Sequence, residues 1–202
     1  MIVYIPFHPE VPNIGTLAET LLKRGQCDNH TLVVVAHRQY EPGASDFRNE
    51  VADLWSDASV VVTDAIDGGL VAMANSLFRT TISHFKNRAP KASEPEATPM
   101  LYFDPSWLPS KNGWLDAIQS EFFYKGLPQV LANTTPNARG EKITQGPVLF
   151  SREYVKNTAL VPHLPANIHW RIYLRHEIAV VEMESETIST GSRSVIRPVK
   201  VK

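Results

Sequence analysis

Apolar residues recur along the first half of this chain in two alternating rhythms. Ile2 to Phe7 (IVYIPF), Thr31 to Ala36 (TLVVVA) and Ser59 to Thr63 (SVVVT) are short, β-branched runs that read as strands. Between them the apolar spacing turns helical. Ile14, Leu17, Ala18, Leu21 and Leu22 share one face of a helix over 14–24, with Asn13 as its cap and Gly25 as its stop. Ser45 caps a second helix with Phe47, Val51, Leu54 and Trp55 inward. A third helix, over 70–86, keeps Leu70, Ala74, Leu77, Phe78, Ile82 and Phe85 in register. Residues 87–99 are polar, are broken by Pro90, Pro95 and Pro99, and read as a loop. Met100 to Phe103 makes a fourth strand. A helix starting at Asn112 then turns Trp114, Ile118 and Phe122 inward and ends at Gly126.

Strands that read VVV rather than alternating are covered on both faces, and regular strand–helix alternation makes a parallel sheet with crossover helices. The expectation is an α/β protein: one Rossmann-like open sheet, mostly parallel, with helices on both faces. After Gly126 the rhythm changes. Residues 129–131 and 148–150 read as strands, 133–146 as a polar, turn-rich stretch, 169–177 as a helix and 178–183 as a strand. From residue 184 onward Ser and Thr accompany Arg193, Arg197, Lys200 and Lys202, with no acidic residue after Glu186. Such a segment reads as a basic tail, solvated or partner-bound, rather than a packed element.

Composition narrows the class. The 202 residues (22.6 kDa) are 43% hydrophobic and 20% charged, which suits one globular domain and excludes a disordered chain. A net charge of -1 gives no bulk attraction for a polyanion. The single cysteine, Cys27, excludes an internal disulfide and cysteine-based metal frameworks, and reads as an incidental loop thiol. No apolar run approaches the ~20 residues of a membrane span. The chain opens directly on a strand with no basic leader, so a cytoplasmic setting is expected.

In open parallel sheets ligands bind beyond the carboxyl ends of the strands. Each of the four strands here is followed by ionisable residues. His8 and Glu10 follow the first, His37 and Arg38 the second, Asp64 and Asp67 the third, and Asp104 the fourth. A ligand site is expected along that edge. GxGxxG, P-loop, GxSxG and HExxH patterns are all absent, which argues against the common dinucleotide, hydrolase and metalloprotease sites. Asp67-Gly68-Gly69 reads as a tight turn into the third helix, whose N-terminus would attract a phosphate.

The stretch PMLYFDPSWLPSKNGWLDAIQSE (99–121) resembles the centre of GT-A-fold nucleotide-sugar glycosyltransferases, where a hydrophobic strand ends in an Asp-x-Asp motif. Asp104 stands at the first Asp and Ser106 at the second. The upstream helix with Asn75 and Arg79, the segment GPVLFSREYV (146–155) and the helix HWRIYLRHE (169–177) resemble neighbouring parts of that fold. The resemblance implies a catalytic domain over 1–183, with a nucleotide-binding half (1–126) and a short mixed acceptor side (127–183), followed by the basic tail 184–202.

It also implies roles. Asp104 and Ser106 would hold Mn²⁺ or Mg²⁺ against the diphosphate, because a hard cation neutralises the charge on the leaving group. With serine replacing the second carboxylate, cationic side chains such as Arg38 or Arg79 are the alternative. Phe7, His8, Arg38 and Asp64 would contact the nucleotide. Asp104 would be catalytic, with Glu177 or Glu153 as a base for an acceptor hydroxyl. The implied acceptor is a modified DNA base or a polysaccharide, as in small bacteriophage and bacterial transferases. The competing readings are plain: Asp104-Pro105 as a turn, Phe7 as core, Asp64 as a cap, Trp114 and Trp170 as packing. A non-catalytic nucleotide-binding protein and a nucleotidyltransferase with Asp64 or Asp67 beside Asp104 are the alternative functions.

Overall fold

Consecutive valines of one strand face two separate cores. Val34 packs with Leu32 and Ala36 in the first, and Val33 and Val35 lie in the second. That is the period-two geometry of a strand covered on both faces. A computed structural model of the chain describes residues 1–8, 14–25, 27–64, 69–90, 94–95, 97–136, 142–158, 169–171, 180–183 and 188–190. The elements run β1 (Ile2–Phe7), α1 (Ile14–Arg24), β2 (Cys27–His37), α2 (Glu41–Val51), β3 (Trp55–Thr63), α3 (Leu70–Asn87), β4 (Met100–Tyr102), β5 (Trp107–Pro109), α4 (Trp114–Tyr124), β6 (Val130–Pro136), β7 (Lys142–Phe150), α5 (Arg152–Asn157), β8 (Val180–Glu182) and β9 (Ile188–Thr190).

Seven strands form one sheet in the order β3-β2-β1-β4-β7-β6-β8. All are parallel except β7, which runs against both β4 and β6. The expected mostly parallel sheet with helices on both faces is therefore present. α1, α2 and α4 bury Leu17, Leu21, Phe47, Val51, Trp114 and Phe122 on the face that takes Val3, Ile5 and Phe7. α3 buries Leu77, Phe78, Ile82 and Phe85 on the face that takes Ile2 and Tyr4. There Phe78 lies flat against Trp170, with ring centroids 4.2 Å apart and planes 5° from parallel. Such a pair adds about 0.5–1.5 kcal/mol beyond its area burial. Trp114 and Trp170 are core residues, 1% and 2% exposed.

Helix ends follow local chemistry. Gly25 terminates α1 at φ 53°, its N–H donating to Leu21 O. Gly126, at φ 78°, closes α4 with a paired motif in which Gly126 N–H reaches Phe123 O and Leu127 N–H reaches Phe122 O. The proposed cap of α1, Asn13, lies outside the described residues.

Several boundaries differ from the sequence pattern. α2 begins at Glu41, with proline in its first turn, not at Ser45, since the fixed φ of Pro42 suits a helix start. Trp55 opens β3 instead of closing that helix. Leu70 is 71% exposed and Leu22 47%, against the inward positions expected of them. Cys27 is a buried residue of β2, not a loop thiol, and burial pushes its thiol up to about 12. The polar stretch after residue 132 lengthens β6 and β7 into a hairpin, where Thr134 and Thr135 pair with Thr144 and Ile143. β-branched threonines suit such a ladder despite their polarity. Within the segment read as an unpacked tail, Ile188–Thr190 pairs antiparallel with β5. α5 carries no amphipathic signal because it is six residues long, and Ser151 caps it by accepting from Tyr154 N–H at 3.1 Å. Of the expected helix over 169–177, residues 169–171 are described.

Candidate active site

The strand order reverses between β1 and β4. β3, β2 and β1 step in one direction, and β4 continues on the other side of β1. Connections leave such a switch point in opposite directions and open a crevice beyond the strand ends. A cavity of about 440 Å³ lies there. Its lining includes His8 after β1, Asp104 and Ser106 after β4, Leu70, Val71 and Met73 from the start of α3, and His169 and Arg171. The exposed apolar residues Leu70 and Val71 belong to its wall.

Asp104 is held on both oxygens. Its Oδ1 accepts from the Ser106 backbone N–H at 3.0 Å and the Ser106 hydroxyl at 2.6 Å. Its Oδ2 accepts from Arg171 Nη2 at 3.1 Å. The same Nη2 donates to Gly146 O at 2.7 Å, and the guanidinium lies 4.5 Å from the Trp170 ring centroid. Burial works against the Arg171 charge, and the Asp104 carboxylate supports it. Gly146 can offer its carbonyl because β7 is irregular there. The pairing with β6 slips between Ala132 and Asn133, and Gly146 takes φ 64° with the Trp107 ring against it. His169 Nδ1 accepts from the Arg171 backbone N–H at 3.2 Å. Burial and then Arg171 lower the basicity of His169, so the ring is neutral and Nε2 carries its hydrogen.

The expected site residues divide into groups. Asp104, Ser106 and His8 share the cavity. Phe7 does not line it. It is 6% exposed in the core, tilted against Phe47, with Gly43 pressed on its ring. Side chains alternate along β1, so Phe7 faces the α1–α2 layer. Arg38 and Asp64 pair with each other at 3.3 Å on the open surface, after β2 and β3, and do not line the cavity. Arg79 sits farther along α3, beside a separate hollow of about 450 Å³ with His84 and Arg88. Glu153 follows the end of antiparallel β7, at the edge where the parallel strands begin, and lines a third hollow of about 700 Å³. It is thus at the far side of the sheet from Asp104. Glu177 and Asp67 lie outside the described residues.

One residue of the site escapes sequence reading, and another, His37, was marked by the strand-end pattern but lies buried behind the cavity wall. Arg171 carries no spacing signal, being 67 positions from its partner. His37 is 1% exposed, and its ring nitrogens lie 3.2 Å from Asp64 O and 3.4 Å from Met73 O. It clamps the end of β3 to the first turns of α3, the helix that walls the cavity.

A divalent cation wants several oxygen ligands. Among the described residues no group of three or more His, Cys, Asp or Glu is placed to hold one. Asp104 is the carboxylate in the cavity lining, and an arginine already occupies it. The donor set among the described residues does not fit a hard divalent cation.

No family model matches the sequence, and no curated protein does either. Solved structures do match. The glycosyltransferase GlyE of Streptococcus pneumoniae TIGR4 aligns at TM-score 0.55 and 10% identity, over 91% of this chain and 45% of that one.

The fold is GT-A-like.

The chain spans less than half the length of GlyE. A mannosyltransferase from Pyrobaculum calidifontis, solved with GDP-Man and Mn²⁺, aligns at TM-score 0.49 and 16% identity, over 84% of this chain and 48% of that one. The 4-diphosphocytidyl-2C-methyl-D-erythritol synthase of Anaerococcus prevotii aligns at TM-score 0.47 and 12% identity, over 96% and 91%. The likeness to GlyE establishes the fold and leaves the reaction to the site. No helix among the described residues is long and apolar enough to cross a membrane.

Proposed function

We propose that this chain is a nucleotide-sugar-dependent glycosyltransferase, moving a sugar from a nucleoside diphosphate to an acceptor hydroxyl, such as that of a modified DNA base or a polysaccharide. The observation that carries the reading is the Asp104–Arg171 pair, set in a cavity at the switch point of a GT-A-like sheet. The apolar wall from Leu70 to Leu77 suits a base or a sugar face, and the polar floor suits a diphosphate. In transfer the anomeric carbon–oxygen bond to the diphosphate breaks and a bond to the acceptor oxygen forms. The acceptor proton leaves to a base, for which Glu177 is the candidate. Negative charge develops on the departing diphosphate, and donors placed there beforehand lower the barrier. Mn²⁺ or Mg²⁺ would supply such charge in a transferase of this fold, although the ligands at Asp104 suit it badly.

A thermal-shift screen of UDP- and GDP-sugars, with and without Mn²⁺, tests the reading. One donor is expected to raise the melting temperature, and Asp104→Ala to abolish the rise. No shift with any donor would remove the proposal. The second reading, a nucleotide-binding protein without catalysis, is favoured by the engagement of both Asp104 oxygens. Release of free nucleoside diphosphate from a bound sugar donor separates the two, since a pure binder turns nothing over.

A further inference from the structure

We propose that Arg171 receives the diphosphate of the nucleotide ligand, so that this cavity binds its ligand without a divalent cation. The proposal rests on the glycosyltransferase reading and goes beyond it by naming the group that replaces the metal.

Three observations carry it. First, three of the roughly four acceptor sites that a metal would draw on at Asp104 are taken. Ser106 donates two hydrogen bonds to Asp104 Oδ1, and Arg171 occupies Oδ2. Serine at position 106 also withholds the second carboxylate. Second, the charges balance without a metal. A divalent cation on two carboxylates is locally neutral, and so is one guanidinium on one carboxylate. A cation brought to Asp104 Oδ2 would meet the guanidinium that already lies 3.1 Å from that oxygen. Third, Arg171 has a donor to spare. Nη2 is engaged by Asp104 and Gly146, whereas Nη1 is buried and has no hydrogen-bond partner among the described residues. A buried donor left unmade is costly, and Arg171 lines the cavity, where an anion is the partner its charge suits. The planar fork of arginine matches phosphate oxygens, and its stacking on Trp170 holds the plane fixed. The Nε2–H of neutral His169, on the same cavity wall, is a second donor.

Calorimetric titration of the intact chain with UDP and with GDP, each in EDTA and in Mn²⁺, decides the matter. The dissociation constant of the better ligand is expected to change by less than about threefold between the two conditions. Arg171→Ala should weaken it about tenfold or more, the loss of one charge-assisted contact, with no rescue by Mn²⁺. Should Arg171→Ala fail to fold by circular dichroism, Arg171→Lys takes its place and is expected to lose several-fold through the missing fork. A wild-type affinity that falls about tenfold in EDTA overturns the proposal and leaves the nucleotide-sugar reading standing. So does a folded Arg171→Ala that binds like wild type. No binding of either nucleotide in either condition overturns both.

Discussion

Arg171 and Asp104 stand 67 positions apart in the chain and 3.1 Å apart in space. The contact ties the segment after β7 to the end of β4, and it does so inside the cavity rather than on the outer surface. Removing one partner leaves the other buried and charged without a counterion, which costs more than the pair itself contributes. Asp104→Ala is expected to destabilise the fold by about 2–3 kcal/mol in urea unfolding. The double variant Asp104→Ala with Arg171→Leu is expected to recover part of that loss. A strictly additive double variant would show that the two side chains are not coupled.

A second ion cluster staples the loop between α3 and β4 to α5. Glu94 accepts from Arg88 at 2.8 and 2.6 Å and from Arg152 at 2.7 Å, and its side chain is 10% exposed. Arg152, 6% exposed, also lies 5.7 Å from the Phe85 ring centroid. Glu94→Ala strands two buried guanidinium groups. A loss of about 3–5 kcal/mol follows, seen as a fall in Tm of about 2–4 °C per kcal/mol for a chain of this size. A change of Tm under a degree would show the cluster to be marginal.

Gly146 should not tolerate a side chain. A Cβ there would lie 2.7 Å from Trp107 Cε2, and φ is 64°. Gly146→Ala is expected to cost about 1–3 kcal/mol from strain and crowding together. Because the Gly146 carbonyl holds Arg171, the same variant should also weaken nucleotide binding. Unfolding in urea and titration with UDP or GDP read the two effects separately.

Acid should destabilise the protein before its carboxylates titrate. Burial lowers the basicity of His30, His84 and His169 below the ordinary histidine value of 6.5, reinforced by the N-terminal ammonium for His30 and by Arg88 and Arg171 for the others. Asp116 opposes the shift at His30 without reversing it. In the window from 6.5 down to the folded-state values the unfolded chain binds more protons than the folded one. Stability then rises with pH, is complete above about 6.5, and is lost as pH falls through that window. The Tyr4 hydroxyl lies 2.8 Å from His84 Nδ1, a contact in which a protonated ring can only donate. Urea midpoints measured from neutral pH down to pH 5 should fall, and His84→Gln should fall less. A flat profile over that range would contradict the assignment.

The strand and helix rhythm was legible because covered strands and amphipathic helices are local patterns. IVYIPF, TLVVVA and the 14–24 helix are where the spacing places them, and Trp114 and Trp170 are core as their inward positions imply. The strand-end rule also brought His8 and Asp104 to one cavity. Arg38 and Asp64 follow strands farther from the switch point and pair with each other at the surface. Glu153 looked adjacent to the acceptor side, yet β7 alone runs backwards and carries it to the other edge. Strand direction is a property of pairing, invisible in a three-residue apolar run. By itself the chain's pattern determined β1 to β4 and α1 to α4, to within their ends, and most of the residues they bury, because burial follows periodicity. Only the tertiary structure decided that Arg171 completes the site, because a contact between a guanidinium and a carboxylate far along the chain depends on sheet order and on the bulge at Gly146, and neither leaves a periodic trace.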